Sequence, residues 1–381
     1  MTDKPMPQSR LRGPSQHEVA ARAGVSRGAV YAALSGRECT IKLTPEKHER
    51  ILRVAREMNY RRNITGLSLV QRRSFLVAFL VRNSLRHVLP SLLVSMQDVT
   101  EANGCSLVVY YHGDSVEDEA RHLEMAVERQ VDGLLLYPAL ERDGTTNLAK
   151  LRSLRGQGLP VMQIDHRISA ELPSVAPDYA GHIQLAISEL RALGHRRIAL
   201  FTSTVVQQEP TPGWYGVGAL YYRAYLEVCA SLGVAPLIAW RDDVPPAETL
   251  AATRPGAPFS YADVANARRV LALPERPTAV LCSGDDDAIP LIFGLQELGV
   301  AVPRDLSVVG AHQIGLRTAF SGLATRIGGT AWDPHELGRR AMELLFAEIA
   351  NPGTHPPATA RLPFHWVPGD SVGPVPGAGA S

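Results

Sequence analysis

One alternation, run twice through the chain from Phe75 onward, constrains the fold more than any other feature. FLVAFLV (75–81) is a continuous apolar run, as expected of a strand buried on both faces. SLLVSMQDVTEANG (91–104) follows as a helix ending at glycine, then CSLVVYY (105–111) as a strand and EARHLEMAVERQ (119–130) as a helix. VDGLLLYPA (131–139) and LPVMQID (159–165) are two further strands. The cycle restarts with a helix over 182–193, the strand RRIALFTS (196–203) and a helix over 223–232. It continues with PTAVLCSG (277–284), a helix over 287–298 and LSVVGAH (306–312). Strands that alternate with helices pair in parallel, so the pattern predicts two doubly wound α/β sheets in series.

Composition places the chain among globular proteins: 381 residues, 45% hydrophobic and 20% charged. No run approaches the roughly 18 apolar residues of a membrane span, and MTDKPMPQSR lacks the apolar centre of a secretory signal. The four cysteines, Cys39, Cys105, Cys229 and Cys282, are far apart and form no CxxC pair, so no metal centre is expected. A cytoplasmic protein without a cofactor fits these features.

Charge is unevenly distributed. Residues 1–73 hold fifteen Lys/Arg against six acidic residues, a balance of +9 that leaves −8 for the remainder of a chain totalling +1. A basic head on an acidic body suggests a polyanion-binding module joined to one of another kind. Within the head, Ser15-Gln-His-Glu18 fits a capping box that opens a helix. Val19, Ala20 and Ala23 give that helix a small apolar face, and Gly24 ends it. Ser26 can cap a second helix, Arg27 to Leu34, with Val30 and Leu34 one turn apart. Thr44-Pro45 then reads as the start of a third, with Ile51, Leu52, Ala55 and Met58 facing inward. Three short helices with a tight turn between the first two describe a helix-turn-helix.

The segment VAARAGVSRGAVYAALSG (19–36) resembles the headpiece of the lac repressor (LacI/GalR) family, and TPEKHERILRVAREMNYRRN (44–63) is similar to that family's third helix and the start of its hinge. The resemblance spans most of the chain. It implies an α/β protein with an N-terminal three-helix helix-turn-helix head plus a two-subdomain, type I periplasmic-binding-protein-like core of doubly wound sheets. The expected organisation is a head over 1–60, a hinge over 61–73, a core over 74–371 and a flexible tail over 372–381. Crossings between subdomains are expected near Pro173, Thr325 and Gly353, which pairs 74–173 with 326–353 and 174–325 with 354–371. The resemblance further implies a homodimer on double-stranded operator DNA, with a small-molecule effector, possibly a carbohydrate, in the cleft between subdomains.

By the same resemblance, the helix starting at Arg27 reads the major groove, with Ser26, Arg27, Gly28, Tyr31 and Ala32 at the DNA. Ala29, Tyr31 and Ala32 depart from the family's usual Thr, Ser and Arg, and Ala32 is confined to apolar contact such as a thymine methyl. Asn63 and Leu69 fall in the hinge, where Leu69 matches a leucine that enters the minor groove and kinks the duplex. Arg62 and Gly66 replace residues that would favour the hinge helix, Gly66 at a cost of roughly 1 kcal/mol. The candidate effector residues sit at strand ends, where open α/β sheets bind ligands. They are His87 after the first strand, Asp165 and His166 after the fourth, Asp285, and His312. Gly284, Gly218 and His312 stand where the family's sugar binders keep Asn, Arg and Asp.

These residues are read as those of a sequence-specific transcriptional regulator, a repressor, whose operator affinity a sugar or related metabolite controls. The alternative is a DNA-binding regulator whose degenerate cleft takes no ligand. An enzyme is the third reading, since Gly284-Asp-Asp-Asp287 offers hard oxygens for Mg²⁺. The same acids fit a strand end followed by a helix N-terminus, and no Walker A, GxSxG or HExxH motif is present. A solute-binding protein would not need the basic head.

Overall fold

The computed structural model describes residues 13–35, 41–61, 68, 71–82, 88–113, 115–141, 144–165, 167–203, 217–241, 263–313, 326–352 and 359–377. The chain divides into two compact units, Met1–Arg73 and Ser74–Ser381.

In the first unit, helices α1 (Gln16–Ala23), α2 (Arg27–Ser35) and α3 (Pro45–Glu57) form a small bundle. The capping box is present: Ser15 N–H donates to Glu18 Oε2 at 2.5 Å, and Glu18 N–H to Ser15 Oγ at 3.3 Å. Gly24 closes α1 in the left-handed region, at φ +64°, and its N–H reaches back to the Ala20 and Ala21 carbonyls. Ser26 Oγ accepts from Ala29 N–H at 3.2 Å, and Thr44 Oγ1 from Lys47 N–H at 3.4 Å. The core is made of small residues, Val19, Ala20, Ala23, Ala29, Val30 and Ala33, against Ile51, Val54 and Ala55. Small side chains let the helices approach closely. Val54, rather than Leu52, turns inward on α3, and Leu52 is half-buried.

The second unit contains two six-stranded sheets. The first comprises β1 (Leu76–Arg82), β2 (Ser106–His112), β3 (Gly133–Leu136), β4 (Val161–Ile164), β5 (Ser174–Pro177) and β11 (Thr359–Leu362). Its order is β11-β5-β4-β3-β1-β2, parallel throughout. Helices α4 (Leu89–Ala102), α5 (Val116–Glu128) and α6 (Leu148–Gly156) follow its first three strands. The second comprises β6 (Ile198–Ser203), β7 (Leu237–Arg241), β8 (Ala279–Cys282), β9 (Ser307–Gln313), β10 (Gly328–Trp332) and β12 (His365–Val367), in the order β12-β10-β9-β8-β6-β7. Only β12 there is antiparallel to its neighbour. Helices α8 (Val217–Leu232), α9 (Val264–Leu271) and α10 (Asp285–Glu297) connect its strands. Each sheet reverses direction between its first and third strands in chain order, which creates a topological switch point at the strands' carboxyl ends.

The strands move all three crossings downstream of Pro173, Thr325 and Gly353. Strand β5 pairs with β4, so the chain leaves the first sheet at Asp178. Strand β10 pairs with β9, so it returns at Asp333, and α11 (Pro334–Ala350) packs on α4. Strand β11 pairs with β5 and β12 with β10, so the last crossing is Pro363-Phe364. The sequence hid these strands because SVAP, GGTAW, TARL and HWV are short and carry Pro or Gly instead of an apolar run. In β10, Gly329 is required: a Cβ there would lie 2.1 Å from the Gly310 carbonyl oxygen of β9.

The expected flexible tail is docked as far as it is described. Gly373 N–H donates to Ser307 Oγ at 3.1 Å, and Val375 N–H to the Leu193 carbonyl at 3.0 Å. The buried His195 ring places Nδ1 3.0 Å from Thr278 Oγ1 and Nε2 2.9 Å from the Gly373 carbonyl. Gly- and Pro-rich composition signalled flexibility, but hydrogen bonds to the second sheet hold the backbone.

Candidate DNA-reading head and ligand cleft

Helix α2 buries Ala29, Val30 and Ala33, which turns positions 27, 28, 31 and 32 away from the core. Ser26 and Arg27 are exposed; Gly28, Tyr31 and Ala32 are half-buried. The Ser26 hydroxyl accepts the capping bond and keeps its own proton to donate. A Cβ on Gly28 would meet Ile41 Cδ1 at 2.8 Å, so that glycine lets the segment before α3 fold over α2. Tyr31 OH accepts from Gln71 Nε2 at 3.0 Å, a tie between α2 and the end of the head unit that the sequence did not suggest. Arg22, Arg27, Lys42, Lys47, Arg50, Arg53, Arg56, Arg61 and Arg72 are all exposed, so the unit's positive charge is at its surface. Arg22 approaches Glu57 only at 3.8 Å, with both side chains at least half exposed. Asn63 and Leu69 lie outside the described residues.

At the carboxyl ends of the first sheet, Arg82 ends β1, Tyr137 follows β3 and Asp165 follows β4. The Arg82 guanidinium lies 5.3 Å from the centre of the Tyr137 ring, within cation–π range. Asp165 is 7% exposed and holds φ +69°, an uncommon conformation for a residue with a side chain. Its N–H donates to the Val175 carbonyl at 2.8 Å. Its carboxylate accepts a short hydrogen bond from the Tyr179 hydroxyl. Burial raises the Asp165 pKa, opposed by hydrogen bonds from Tyr137 and Tyr179 and by the Arg82 charge. His87 and His166 are not among the described residues.

Deeper in the same sheet end lies a carboxylate that the sequence did not single out. Glu119 of α5 is fully buried and accepts from Ala139 N–H at 2.6 Å and Asn147 Nδ2 at 2.9 Å. His112 Nε2 is 3.9 Å from it and 3.1 Å from the Tyr137 carbonyl. Burial lifts the Glu119 pKa to about 7, against the lowering effect of those donors and of Arg82. One guanidinium therefore influences two buried carboxylates, Asp165 and Glu119.

At the carboxyl ends of the second sheet, Asp285 is the first residue of α10, with Gly284 at the N-cap position. Asp287 pairs with Arg241 at the end of β7, which accounts for one acid of the Gly284–Asp287 run. His312 lies next to last in β9, backbone-paired with Ala331; its side chain lies outside the described ones. Tyr221 of α8 is buried, and its hydroxyl pKa is raised first by burial and then by Asp165, Asp285 and Asp287. The ends of β4 and β8 thus act on one shared ring.

That ring belongs to an aromatic cluster at the crossings. Tyr179 opens α7 (Tyr179–Ala192) just after the first crossing and meets Tyr221 edge-on at 5.2 Å. His182 lies 4.7 Å from Tyr221 and 4.8 Å from Phe364 of the third crossing, and makes a short hydrogen bond to Thr330 of β10. No motif marks Tyr179, Tyr221 or Phe364 in the sequence. They meet only because the chain crosses between the sheets three times.

The comparisons with known proteins agree with this architecture. A periplasmic binding protein-like domain model matches residues 187–372. The HTH-type transcriptional regulator AscG of Escherichia coli K12 is 27% identical over 78% of this chain and 82% of its own length. The HTH-type transcriptional regulator KdgR of Bacillus subtilis is 25% identical over 87% of the chain and 90% of its length. Among solved structures, the lac repressor dimer bound to operator and an anti-inducer superposes with a TM-score of 0.71 at 19% identity. It covers 95% of this chain and 100% of that one. The transcriptional regulator CelR with cellobiose gives 0.60 at 22% identity, over 94% and 99%.

Proposed function

We propose that the chain is a regulator of the lac repressor (LacI/GalR) family and that its two units divide the work. The head binds operator DNA, and a small molecule in the cleft between the two sheets controls that binding. The chain is a transcriptional regulator rather than an enzyme, and it acts where its DNA is, in the cytoplasm. One observation carries the reading: a capped three-helix unit with its cations exposed precedes a core of two parallel-rich sheets whose first and third crossings meet in the Tyr179, Tyr221 and Phe364 cluster.

Ser26 and Tyr31 hydroxyls suit phosphate oxygens, and Arg27 suits either phosphate or the O6/N7 edge of guanine. Gly28 and Ala32 complete the face, with Asn63 and the minor-groove leucine Leu69 in the hinge over 61–73. One α2 helix reads a half-site, so the protein works as a homodimer on a pseudo-palindrome. The lac repressor neighbour is a dimer on operator, and CelR carries cellobiose, which supports a carbohydrate or related metabolite as effector. Asp165 and Asp285 are placed to accept its hydroxyls, and His87, His166 and His312 follow at neighbouring strand ends. Because effector and DNA bind at different units, the effector acts through its differential affinity for two arrangements of the core.

A second reading is a regulator whose cleft takes no ligand. It is favoured by one observation: the Asp165 carboxylate already receives the hydroxyls of Tyr179 and Tyr137. Capture of genomic fragments by the purified protein, repeated with candidate sugars, separates the readings. Enrichment of a pseudo-palindrome that a sugar alters, with the alteration lost in Asp285→Ala, supports the first. Enrichment that no sugar alters supports the second, and no enrichment rejects both.

A further inference from the structure

A cavity of about 300 Å³ opens at the amino ends of β6 and β7 in the second sheet, the end opposite the cleft. It lies between α7 and α8, which pack on each other. None of the residues placed in the cleft lines it. Its wall is apolar: Ile187 of α7, Ile198 at the start of β6, Tyr225 and Leu232 of α8, Val234 in the turn that follows, and Leu237 at the start of β7. Leu232 and Val234 are each 39% exposed, which leaves apolar surface at the mouth. The Tyr225 hydroxyl is used within the fold: it donates to the Ile198 carbonyl at 2.8 Å and accepts from Leu237 N–H at 3.0 Å. The wall therefore offers contact area and little to hydrogen-bond.

The rim is cationic. Arg191 lies in the last turn of α7, and Arg196 and Arg197 lead into β6. Arg196 Nη1 donates to the Arg191 and His195 carbonyls at 3.2 and 3.3 Å, and Arg197 Nε to the Arg276 carbonyl at 2.8 Å. These partners are neutral backbone groups, and among the described residues no carboxylate pairs with any of the three guanidinium groups. Against them the lining includes one carboxylate, the exposed Glu275. A concave wall of low dielectric focuses the field of such charges at its mouth. A guanidinium there can take both oxygens of a carboxylate.

We propose that this cavity is a second ligand site that binds a small organic acid made of an apolar body and one carboxylate. The body lies against Ile187, Tyr225 and Leu237, and the carboxylate meets the arginines of the rim. The volume is at the lower end of small-ligand pockets, which suits a body of roughly six to ten carbons. A sugar is disfavoured, because its hydroxyls would be buried against a wall without spare polar groups. Helices α7 and α8 also carry Tyr179 and Tyr221 of the crossing cluster, so a ligand wedged between them bears on the elements that join the two sheets. The inference goes beyond the regulatory reading and stands without it, because binding is its direct readout.

The test is calorimetric titration of the full chain with three probes: octanoate, octanol as the same body without the charge, and acetate as the charge without the body. Saturable octanoate binding is expected, with octanol weaker and acetate silent. The double variant Arg191→Ala, Arg197→Ala should weaken octanoate by about tenfold, as expected for lost charge-assisted contacts, and leave octanol unchanged. Leu232→Asp, which adds a negative charge at the mouth, should weaken octanoate as well. Arg197 and Leu232 are exposed and Arg191 is half-buried, so these variants are expected to fold, checked by unchanged thermal unfolding without ligand. Asp285→Ala, at the cleft end of the sheet, should bind octanoate as the native protein does. Undiminished octanoate binding in both the arginine double variant and Leu232→Asp would place the ligand elsewhere and overturn the proposal. So would loss in Asp285→Ala alone, or no saturable octanoate binding up to about 10 mM.

Discussion

The Tyr179 hydroxyl donates to the Asp165 carboxylate, joining the end of a strand in the first sheet to the first turn of the helix that begins the second subdomain. The bond spans a crossing, and both partners are buried. Removing the donor leaves a buried acceptor short of a partner, so Tyr179→Phe should destabilise the protein by about 1–3 kcal/mol. The Asp165 pKa is already raised by burial and is held down in part by Tyr179. A carboxyl whose folded pKa exceeds its unfolded value loses stability as pH rises from the unfolded toward the folded pKa. Loss of Tyr179 lengthens that interval, so the deficit should be larger at pH 8 than at pH 5 in urea unfolding. A deficit equal at both pH values would assign the cost to packing.

Glu119 gives a second pH signature. Its pKa of about 7 lies above the ordinary glutamate value of 4.5, so the folded state holds the proton more tightly than the unfolded chain. This contribution to stability is present in full below the unfolded value and is lost as pH rises toward about 7. Glu119→Gln cannot ionise. Its melting temperature should therefore fall less than that of the native protein between pH 5 and pH 8, with Arg82 and His112 unchanged as neighbours. Identical shifts in both proteins would contradict the assignment.

Deletion of 372–381 tests the docked tail. It removes the partners of His195 Nε2, Ser307 Oγ and the Leu193 carbonyl. Four lost hydrogen bonds, one of them to a buried imidazole and two sharing Ser307 Oγ, should cost about 2–4 kcal/mol. A flexible tail would cost nothing measurable in thermal or urea unfolding.

The capping box offers a local test of the head. Ser15→Ala removes the acceptor for Glu18 N–H and should destabilise the unit by about 1 kcal/mol. Amide exchange in α1 should accelerate, while exchange in the sheets of the core stays unchanged. Equal acceleration in both would mean that the two units unfold together.

Much of the fold was legible because its signals are local. Capping residues, glycine at a left-handed turn and continuous apolar runs each fix backbone geometry within a few residues, and they located α1 to α3, β1 to β4, β6, β8 and β9. Strands β5, β10, β11 and β12 were not legible, since their pairing depends on partners tens to hundreds of residues away. The candidate site divides the same way. Arg27, Asp165 and Asp285 were visible as a helix start and two strand ends. Arg82, Glu119, Tyr179, Tyr221 and Phe364 acquire meaning only from burial and from neighbours brought by the crossings. Gln71, hydrogen-bonded to Tyr31 from 40 positions away, is a further case.

The central claim is that the start of α2 reads DNA sequence, and a titration of Arg27→Ala tests it most directly. Native and variant proteins are titrated onto a genome-selected site and onto a scrambled duplex across a range of salt concentrations. Native binding should weaken steeply with salt, because neutralised phosphates release counterions. Arg27→Ala should lose about 1–3 kcal/mol on the selected site and much less on the scrambled one, as expected for a bidentate contact to guanine. Equal losses on both duplexes would reduce Arg27 to a phosphate contact, and native affinity that does not distinguish the two duplexes would contradict the claim itself.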